Sequence, residues 1–382
     1  MTAVPGNELR LACFVTPHGF GHAARACAVL AALAARRPLA VELFTTVPEW
    51  FFRDSLALPF TCHAVRTDVG LAQRDALDED LPATVRELDA FLPFDSRLVA
   101  RLAATVRERG CAAALCDVAP LGIAVARAAG LPVALVENFT WDWIYAAYGD
   151  RTPGLRPHAD YLFAWFAGAD LRVQSEPVCR PWAGAVRVPP VARVPRRRRD
   201  ETRARLGITP EQRAVLVTMG GIRWDYGALV TGTGPSLPPG VVLVVPGGAP
   251  ESHRLLDSAG QARALLLPFH SDLYHPDLVA AADAVVGKLG YSTLAECWTA
   301  GVPFGFIPRH GFPESPVLEE ALRAAGAGVP VPADALRHAA AASSWAWLDE
   351  VLALPRLPAG RVRGNDAAAA ALDGWLVPAV SG

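Results

Sequence analysis

The sequence predicts an α/β protein of two domains, each built on a parallel, doubly wound sheet. Three observations predict it. Short apolar runs alternate with helical stretches in the rhythm of β–α–β units. Several of these runs end in Gly-rich or Pro/Gly turns, at 17–22, 219–221, 246–248 and 287–290. A Pro- and Arg-rich break at 189–199 separates two halves that repeat the rhythm. At 382 residues the chain is long enough for two such domains.

The elements follow in order. Residues 11–16 read as a strand, followed by Pro17-His18-Gly19-Phe20-Gly21-His22 and an Ala-rich helix over 23–36. Residues 41–46 give a second strand, and 56–65 contain a third. Leu81, Val85, Leu88, Leu92, Leu98, Leu102 and Val106 mark one side of two helices within 77–109. Residues 111–116 form a strand ending at Asp117, then a helix over 120–129 closes at Gly130, and 131–136 is again a strand. A further strand covers 171–174. After the break, strands are expected at 214–218, 241–245, 264–267 and 304–307, and 281–286 reads as the end of a helix followed by a buried strand. Helices are expected at 278–282, 293–300 and 314–325, the last two stopped by Gly301 and Gly326. The reading is two Rossmann-like domains, 1–195 and 196–365, with a helical tail, 366–382, set to pack back on the first.

Composition narrows the function. The chain is 52% hydrophobic with a formal charge of −2, so it has no bulk attraction for nucleic acid or membranes. No apolar run reaches membrane-spanning length and no signal-peptide pattern opens the chain, which reads as cytoplasmic. The arginines at 196–199 are expected to be a solvated linker rather than a nucleic-acid patch. Seven scattered cysteines form no C-x-x-C pair, so neither a disulfide framework nor a zinc site is expected. Of 36 basic residues only Lys288 is a lysine, and it falls inside a Gly-rich turn.

That turn carries the chemistry of the second half. Val285-Val286-Gly287-Lys288-Leu289-Gly290-Tyr291-Ser292 runs from an apolar strand into a helix. A tight turn opening a helix presents backbone N–H groups at the positive end of the helix dipole, a cradle for a diphosphate. Lys288 adds a compact cation. Glu296, one helical turn on, can accept two hydrogen bonds from a vicinal diol such as a ribose. In the first half, a neutral imidazole at His22 is suited to take a proton from an attacking hydroxyl, and Asp117 stands at a strand end, on the side of the sheet where ligands bind. His18 is a rival base. A loop histidine that caps the helix and an ordinary turn aspartate remain the plain alternatives. Asn138-Phe139-Thr140-Trp141-Asp142-Trp143 is either a packed helix start or the wall of an acceptor pocket.

Taken together, these motifs resemble the GT-B glycosyltransferases, in particular the MurG-like N-acetylglucosaminyltransferases and the nucleotide-sugar-dependent enzymes that glycosylate small molecules. Gly19-Phe20-Gly21-His22 with Asn138-Phe139-Thr140-Trp141-Asp142-Trp143 also resembles the glycosyltransferase-like N-terminal part of plant L-arabinokinases, whose kinase part has no counterpart here. The resemblance implies two Rossmann-like domains with parallel sheets facing a central cleft. It implies His22, or His18, as the base with Asp117 behind it, and Phe20, Asn138, Trp141 and Trp143 on the acceptor side. On the donor side it implies Gly220, Gly221 and Arg223 at the first turn, and Phe269 and His270 at the nucleobase. Lys288, Gly290, Tyr291 and Ser292 then fall at the diphosphate, and Glu296 at the ribose. Glu314 and Ser315 fall near the sugar hydroxyls, with Arg309 beside them suited to an acidic sugar. Relatives carry His or Ser where Lys288 stands, and 309–314 departs from the usual pattern.

The implied activity is transfer of a sugar from a nucleoside-diphosphate sugar, UDP first, to a small-molecule acceptor by direct displacement. No metal and no cofactor beyond the nucleotide sugar are expected. Competing readings are a catalytically silent nucleotide-sugar binding protein and a nucleotide-sugar 2-epimerase. A dehydrogenase is disfavoured because the first loop lacks G-x-G-x-x-G.

Overall fold

The computed structural model describes residues 8–222, 224–227, 237–256, 260–337, 345–358 and 364–381. The chain divides into two compact units, one of Met1–Arg74, Glu79–Arg193 and Arg363–Gly382, the other of Asp75–Asp78 and Val194–Val362.

The first unit opens with β1 (Leu9–Val15), α1 (Gly21–Ala34), β2 (Leu39–Thr45), α2 (Glu49–Ser55) and β3 (Phe60–Ala64). It continues through α3 (Leu81–Phe91), α4 (Ser96–Glu108), β4 (Ala113–Asp117), α5 (Pro120–Ala129), β5 (Val133–Glu137) and α6 (Trp141–Tyr148). α7 (Arg156–Ala167), β6 (Leu171–Ser175) and β7 (Val186–Val188) follow. The second unit holds α8 (Arg199–Leu206), β8 (Arg213–Thr218), β9 (Val241–Pro246), β10 (His253–Leu256) and β11 (Ala262–Leu267). Then come α9 (His275–Ala281), β12 (Ala284–Lys288), α10 (Tyr291–Ala300), β13 (Phe304–Ile307) and α11 (Glu314–Ala324). β14 (Gly328–Pro330), α12 (Asp334–Arg337) and α13 (Ala346–Ala353) complete it. The last helix, α14 (Gly364–Ser381), belongs to the first unit.

Each unit has one seven-stranded sheet. The first has the order β3-β2-β1-β4-β5-β6-β7 and is parallel throughout. The second has the order β10-β11-β9-β8-β12-β13-β14 and is parallel except for β10, which runs antiparallel to β11. Their apolar character follows from burial on both faces, as parallel sheets require. On one face of β1, Leu11, Cys13 and Val15 join a core with Ala23, Ala26 and Leu30 of α1 and with Ala368, Ala369 and Leu372 of α14. On the other, α5 comes so close that a Cβ on Gly122 would stand 2.5 Å from Phe14 and 2.6 Å from the Cys116 sulfur. Arg36 and Arg37 fix the tail helix through Asp373, each at 3.3 Å.

The polar break at 189–199 resolves differently from a free linker. Arg196 and Arg197 donate their backbone N–H groups to Asp277 Oδ1 at 2.6 and 3.1 Å. Arg199 donates to Asp283 Oδ1 at 2.6 Å, and Arg203 donates to Asp283 Oδ2 at 3.0 Å. The arginine run is thus tied to carboxylates of its own unit. The helix expected from residue 77 begins at Leu81, where Asp80 caps it by accepting from the Ala83 N–H.

Glu42 stands fully buried in β2. It accepts from Arg10 Nη1 at 2.9 Å and pairs with His63 Nε2 at 2.7 Å, and Arg109 lies at 3.8 Å. Burial works to raise this carboxyl, but the hydrogen bonds of His63 and Arg10 and the charge of Arg109 hold it below the usual range. A depressed carboxylate gives stability that is present above its unfolded pKa and lost as pH falls through the folded one. Glu42→Gln is therefore expected to cost about 1–3 kcal/mol at neutral pH. The melting temperature of this variant should fall less steeply than the wild type's between about pH 6 and about pH 3. Parallel melting curves would remove Glu42 from the acid response.

Candidate active site

In a parallel sheet the crevice for a ligand opens where the strand order reverses, outside the carboxyl ends of the strands. In the first sheet this happens between β1 and β4, paired with Val15 opposite Asp117. In the second it happens between β8 and β12, paired with Thr218 opposite Gly287. The candidate residues fall beside these two places.

In the first unit the chain leaves β1 through Thr16 and turns at Gly19, whose φ of 67° suits glycine. Helix α1 starts at Gly21, two residues earlier than the sequence suggests, so His22 lies in its first turn and Arg25 one turn further along. The i, i+3 spacing puts both side chains on one face. His22 Nδ1 donates to Asp117 Oδ1 at 3.0 Å. Arg25 grips the same carboxylate with two bonds, Nε to Oδ2 at 2.8 Å and Nη2 to Oδ1 at 2.6 Å, and donates from Nη1 to Asn138 Oδ1 at 2.6 Å. All four residues are buried. Burial alone would raise Asp117, but the Arg25 guanidinium beside it, with the hydrogen bonds of His22 and Arg25, keeps the carboxyl below the ordinary range. An ionised Asp117 selects the tautomer with the proton on Nδ1. Val118, directly after Asp117, has φ 51°, a strained value for a β-branched residue in the turn that presents the carboxylate.

The same unit holds a second buried carboxyl, Asp68. Asp68 Oδ2 accepts from Thr16 Oγ1 at 2.5 Å, and Thr16 in turn accepts from the Trp141 indole N–H at 3.4 Å. Desolvation pushes Asp68 up to about 7. Trp141 meets His18 edge-on at 5.2 Å and stacks on Tyr145 at 5.8 Å. His18 also packs on Gly70, where a Cβ would stand 2.7 Å from its Nδ1.

In the second unit, β8 ends in Gly220 and Gly221, with φ of 66° and 83°. Gly287 lies so close to β8 that a Cβ would fall 1.8 Å from the Thr218 carbonyl oxygen. Lys288 leaves the end of β12 and lies over both turns. A Cβ on Gly220 would be 3.7 Å from its Cε and 3.9 Å from its Nζ, and one on Gly290 would be 3.9 Å from its Cε. Gly290 is the extended N-cap of α10, with Tyr291 and Ser292 in the first turn. Glu296 is buried and takes a 3.0 Å hydrogen bond from His275 Nδ1. Arg309, Glu314 and Ser315 form a buried group: Arg309 Nη2 lies 3.8 Å from Glu314 Oε2, the Arg309 N–H donates to Ser315 Oγ at 3.3 Å, and its guanidinium covers the Phe312 ring. Phe269 is 45% exposed, with its ring beside Gly247, and His270 is exposed.

The structure brings His22 and Asp117 together, and it groups Lys288 with Gly220 and Gly290. Asn138 and Trp141 are fully buried, so they support the histidine loop and present no surface to an acceptor; Phe20 and Trp143 keep partial exposure. Phe20 packs against Trp50 and Phe51. Arg223 lies outside the described residues. Sequence reasoning missed Arg25, Asp68 and His275. Arg25 had a signal, a lone charge in an Ala-rich helix three residues after His22.

The site and topology define the class: this is the GT-B fold, found in glycosyltransferases over nearly the whole chain. Solved structures similar to it include spinosyn forosaminyltransferase SpnP, at 15% identity and a TM-score of 0.58, covering 97% of this chain and 100% of that one. The glycosyltransferase SnogD from Streptomyces nogalater gives 18% identity and a TM-score of 0.54, covering 96% and 99%. Phytolacca americana UGT2, complexed with UDP-2fluoro-glucose and pterostilbene, gives 13% and 0.53, covering 96% and 90%. Among curated proteins the chain is similar to L-arabinokinase from Arabidopsis thaliana, 29% identical over 372 residues. The match takes in 95% of this chain but 34% of that protein, so the chain spans about a third of its relative's length. No family model matches the chain.

Asp117→Asn should leave Arg25 buried without its counter-charge and lower stability by about 3–5 kcal/mol. The urea midpoint should drop at constant slope, and adding Arg25→Met should recover part of the loss. Additive losses in the double variant would deny the pair.

Proposed function

We propose that the protein transfers a sugar from a nucleoside-diphosphate sugar, with UDP as the nucleotide, to the hydroxyl of a small-molecule acceptor. The observation that carries this reading is the His22–Asp117 pair at the switch point of one sheet, in a fold shared with glycosyltransferases. The Lys288–Gly220–Gly290 arrangement at the switch point of the other sheet supports the donor half. UDP and a small aromatic acceptor are suggested by the UGT2 complex and by a Polygonum tinctorium UDP-glucosyltransferase capable of glucosylating indoxyl. The kinase named in the Arabidopsis relative forms no part of the reading.

In this mechanism His22 Nε2 takes the acceptor proton as the acceptor oxygen bonds to the sugar C1. The bond from C1 to the diphosphate oxygen breaks, and the nucleoside diphosphate leaves with its electron pair. Asp117 stabilises the imidazolium that forms. The departing charge is met by Lys288 and by the N–H groups of the first turn of α10. Glu296 accepts from the ribose hydroxyls, held in place by His275. No cofactor beyond the nucleotide sugar is called for.

A thermal-shift panel of nucleoside diphosphates and nucleotide sugars tests the donor, with stabilisation by UDP compounds expected above the rest. His22→Ala should keep that shift and lose about 10²–10⁴-fold in transfer to a scanned acceptor set. Turnover unchanged in this variant would remove His22 as the base. UDP binding without turnover on any acceptor would favour a silent binding protein.

A further inference from the structure

We propose that Lys288 takes up a proton when the nucleoside diphosphate binds, so that the only lysine of the chain couples donor affinity to pH. The inference rests on the donor site proposed above. Its basis is where the side chain lies. Lys288 ends β12 opposite Ile307 of β13, and its Cε and Nζ lie over Gly220 after β8 and beside Gly290 before α10. The side chain is half-buried there, with the glycines of two turns beside its end, so an ammonium cannot be fully hydrated. Arg309 follows two residues after Ile307, and its guanidinium is buried in the same neighbourhood. The carboxylate that offsets these two cations is Glu314, at 3.8 Å from Arg309.

These are the charged groups acting on Lys288 among the described residues: Arg309 from the turn after β13 and Glu314 from the start of α11. The turn after β8 faces it with Gly220, and the N-terminus of α10 faces it with Gly290. A half-buried lysine and a buried arginine against one carboxylate favour loss of a proton, and of the two only the lysine can give one up. In line with this, burial first and Arg309 second bring Lys288 down to about 7, with Glu314 acting the other way.

A diphosphate against the first turn of α10 reverses the balance. Its negative charges favour the ammonium and raise the lysine again. Below about pH 7 the ammonium is already present and binding moves no proton. Above it, binding draws one proton from solvent, and affinity falls as pH rises by up to about tenfold per unit. An arginine in its place keeps its charge throughout this range.

The experiment is calorimetric titration with UDP-glucose, and with UDP in parallel, from about pH 6 to about pH 9. The diester diphosphate of UDP-glucose keeps its charge across the range. Buffers of different ionisation enthalpy read the proton taken up. The wild type should bind progressively more weakly above neutrality and take up close to one proton. Lys288→Met should bind more weakly at the acid end with a flat profile. Lys288→Arg should also be flat and should keep the wild type's acid-end affinity to within about tenfold. Melting curves confirm that each variant is folded. Isotopic reductive methylation of the wild type gives one side-chain signal, whose titration should move upward when UDP is added. A flat wild-type profile, or a slope that persists in Lys288→Met, overturns the inference and leaves the donor site standing. Failure of folded wild type to bind either ligand overturns both.

Discussion

The reversal of strand order in each sheet is the constraint on which the rest of the structure depends. Right-handed crossovers send the connections on either side of the reversal to opposite faces. The packing shows it directly: α1 lies on the Leu11, Cys13 and Val15 face of β1, and α5 lies against Phe14 on the other. The ligand crevice of such a sheet is expected where β1 and β4 finish. The second sheet reverses between β8 and β12. Gly287 there allows the Thr218 carbonyl to approach closer than any side chain would permit. Each crevice receives loops from two neighbouring strands, so residues far apart in sequence meet there. His22 and Asp117 are 95 positions apart and hydrogen-bonded.

Much of this architecture is legible from the sequence because parallel strands, buried on both faces, read as uninterrupted apolar runs. The elements that escape notice are those without that signature. β7, β10 and β14 are short strands near or at sheet edges, and β7 and β10 are mostly exposed along their length. The site was partly legible for a similar reason. Glycine turns advertise close backbone approach, and a strand-end aspartate advertises the ligand side of the sheet. Arg25 stayed hidden because its role depends on where α1 begins. Placing the start at Ala23 leaves His22 in a loop, whereas a start at Gly21 puts His22 and Arg25 on one face. For Asn138 and Trp141 the sequence leaves both a pocket wall and a packed support open, because aromatic and amide groups suit either, and burial decides for the packed support.

Arg25 also changes the chemistry expected of the first site. A histidine base backed by a lone aspartate gains basicity from the full carboxylate charge. Here that charge is shared with a bidentate guanidinium, and Oδ1 serves both Arg25 and His22. The aspartate still fixes the tautomer and the ring. In the proposed reaction its electrostatic pull on the imidazolium is reduced by that sharing. The turn at Val118 and the Asp68–Thr16–Trp141 chain hold the two loops that carry this arrangement.

The two sites manage buried charge in opposite ways. In the first, one guanidinium meets one carboxylate at hydrogen-bonding distance, and the His22 ring bonds to the same carboxylate. The second sets Lys288 near the buried Arg309, which lies 3.8 Å from Glu314, so that in the proposed reaction its charge answers to the ligand. A proton acceptor must be poised before its substrate arrives, and internal neutralisation keeps it so. A group that receives a multiply charged leaving group gains from being incompletely balanced, because the missing negative charge is what the ligand supplies. On this argument the lysine in the glycine turn and the arginine beneath the histidine answer the same problem, that of holding a charge out of water. They differ because one site has to be complete without its ligand and the other is completed by it.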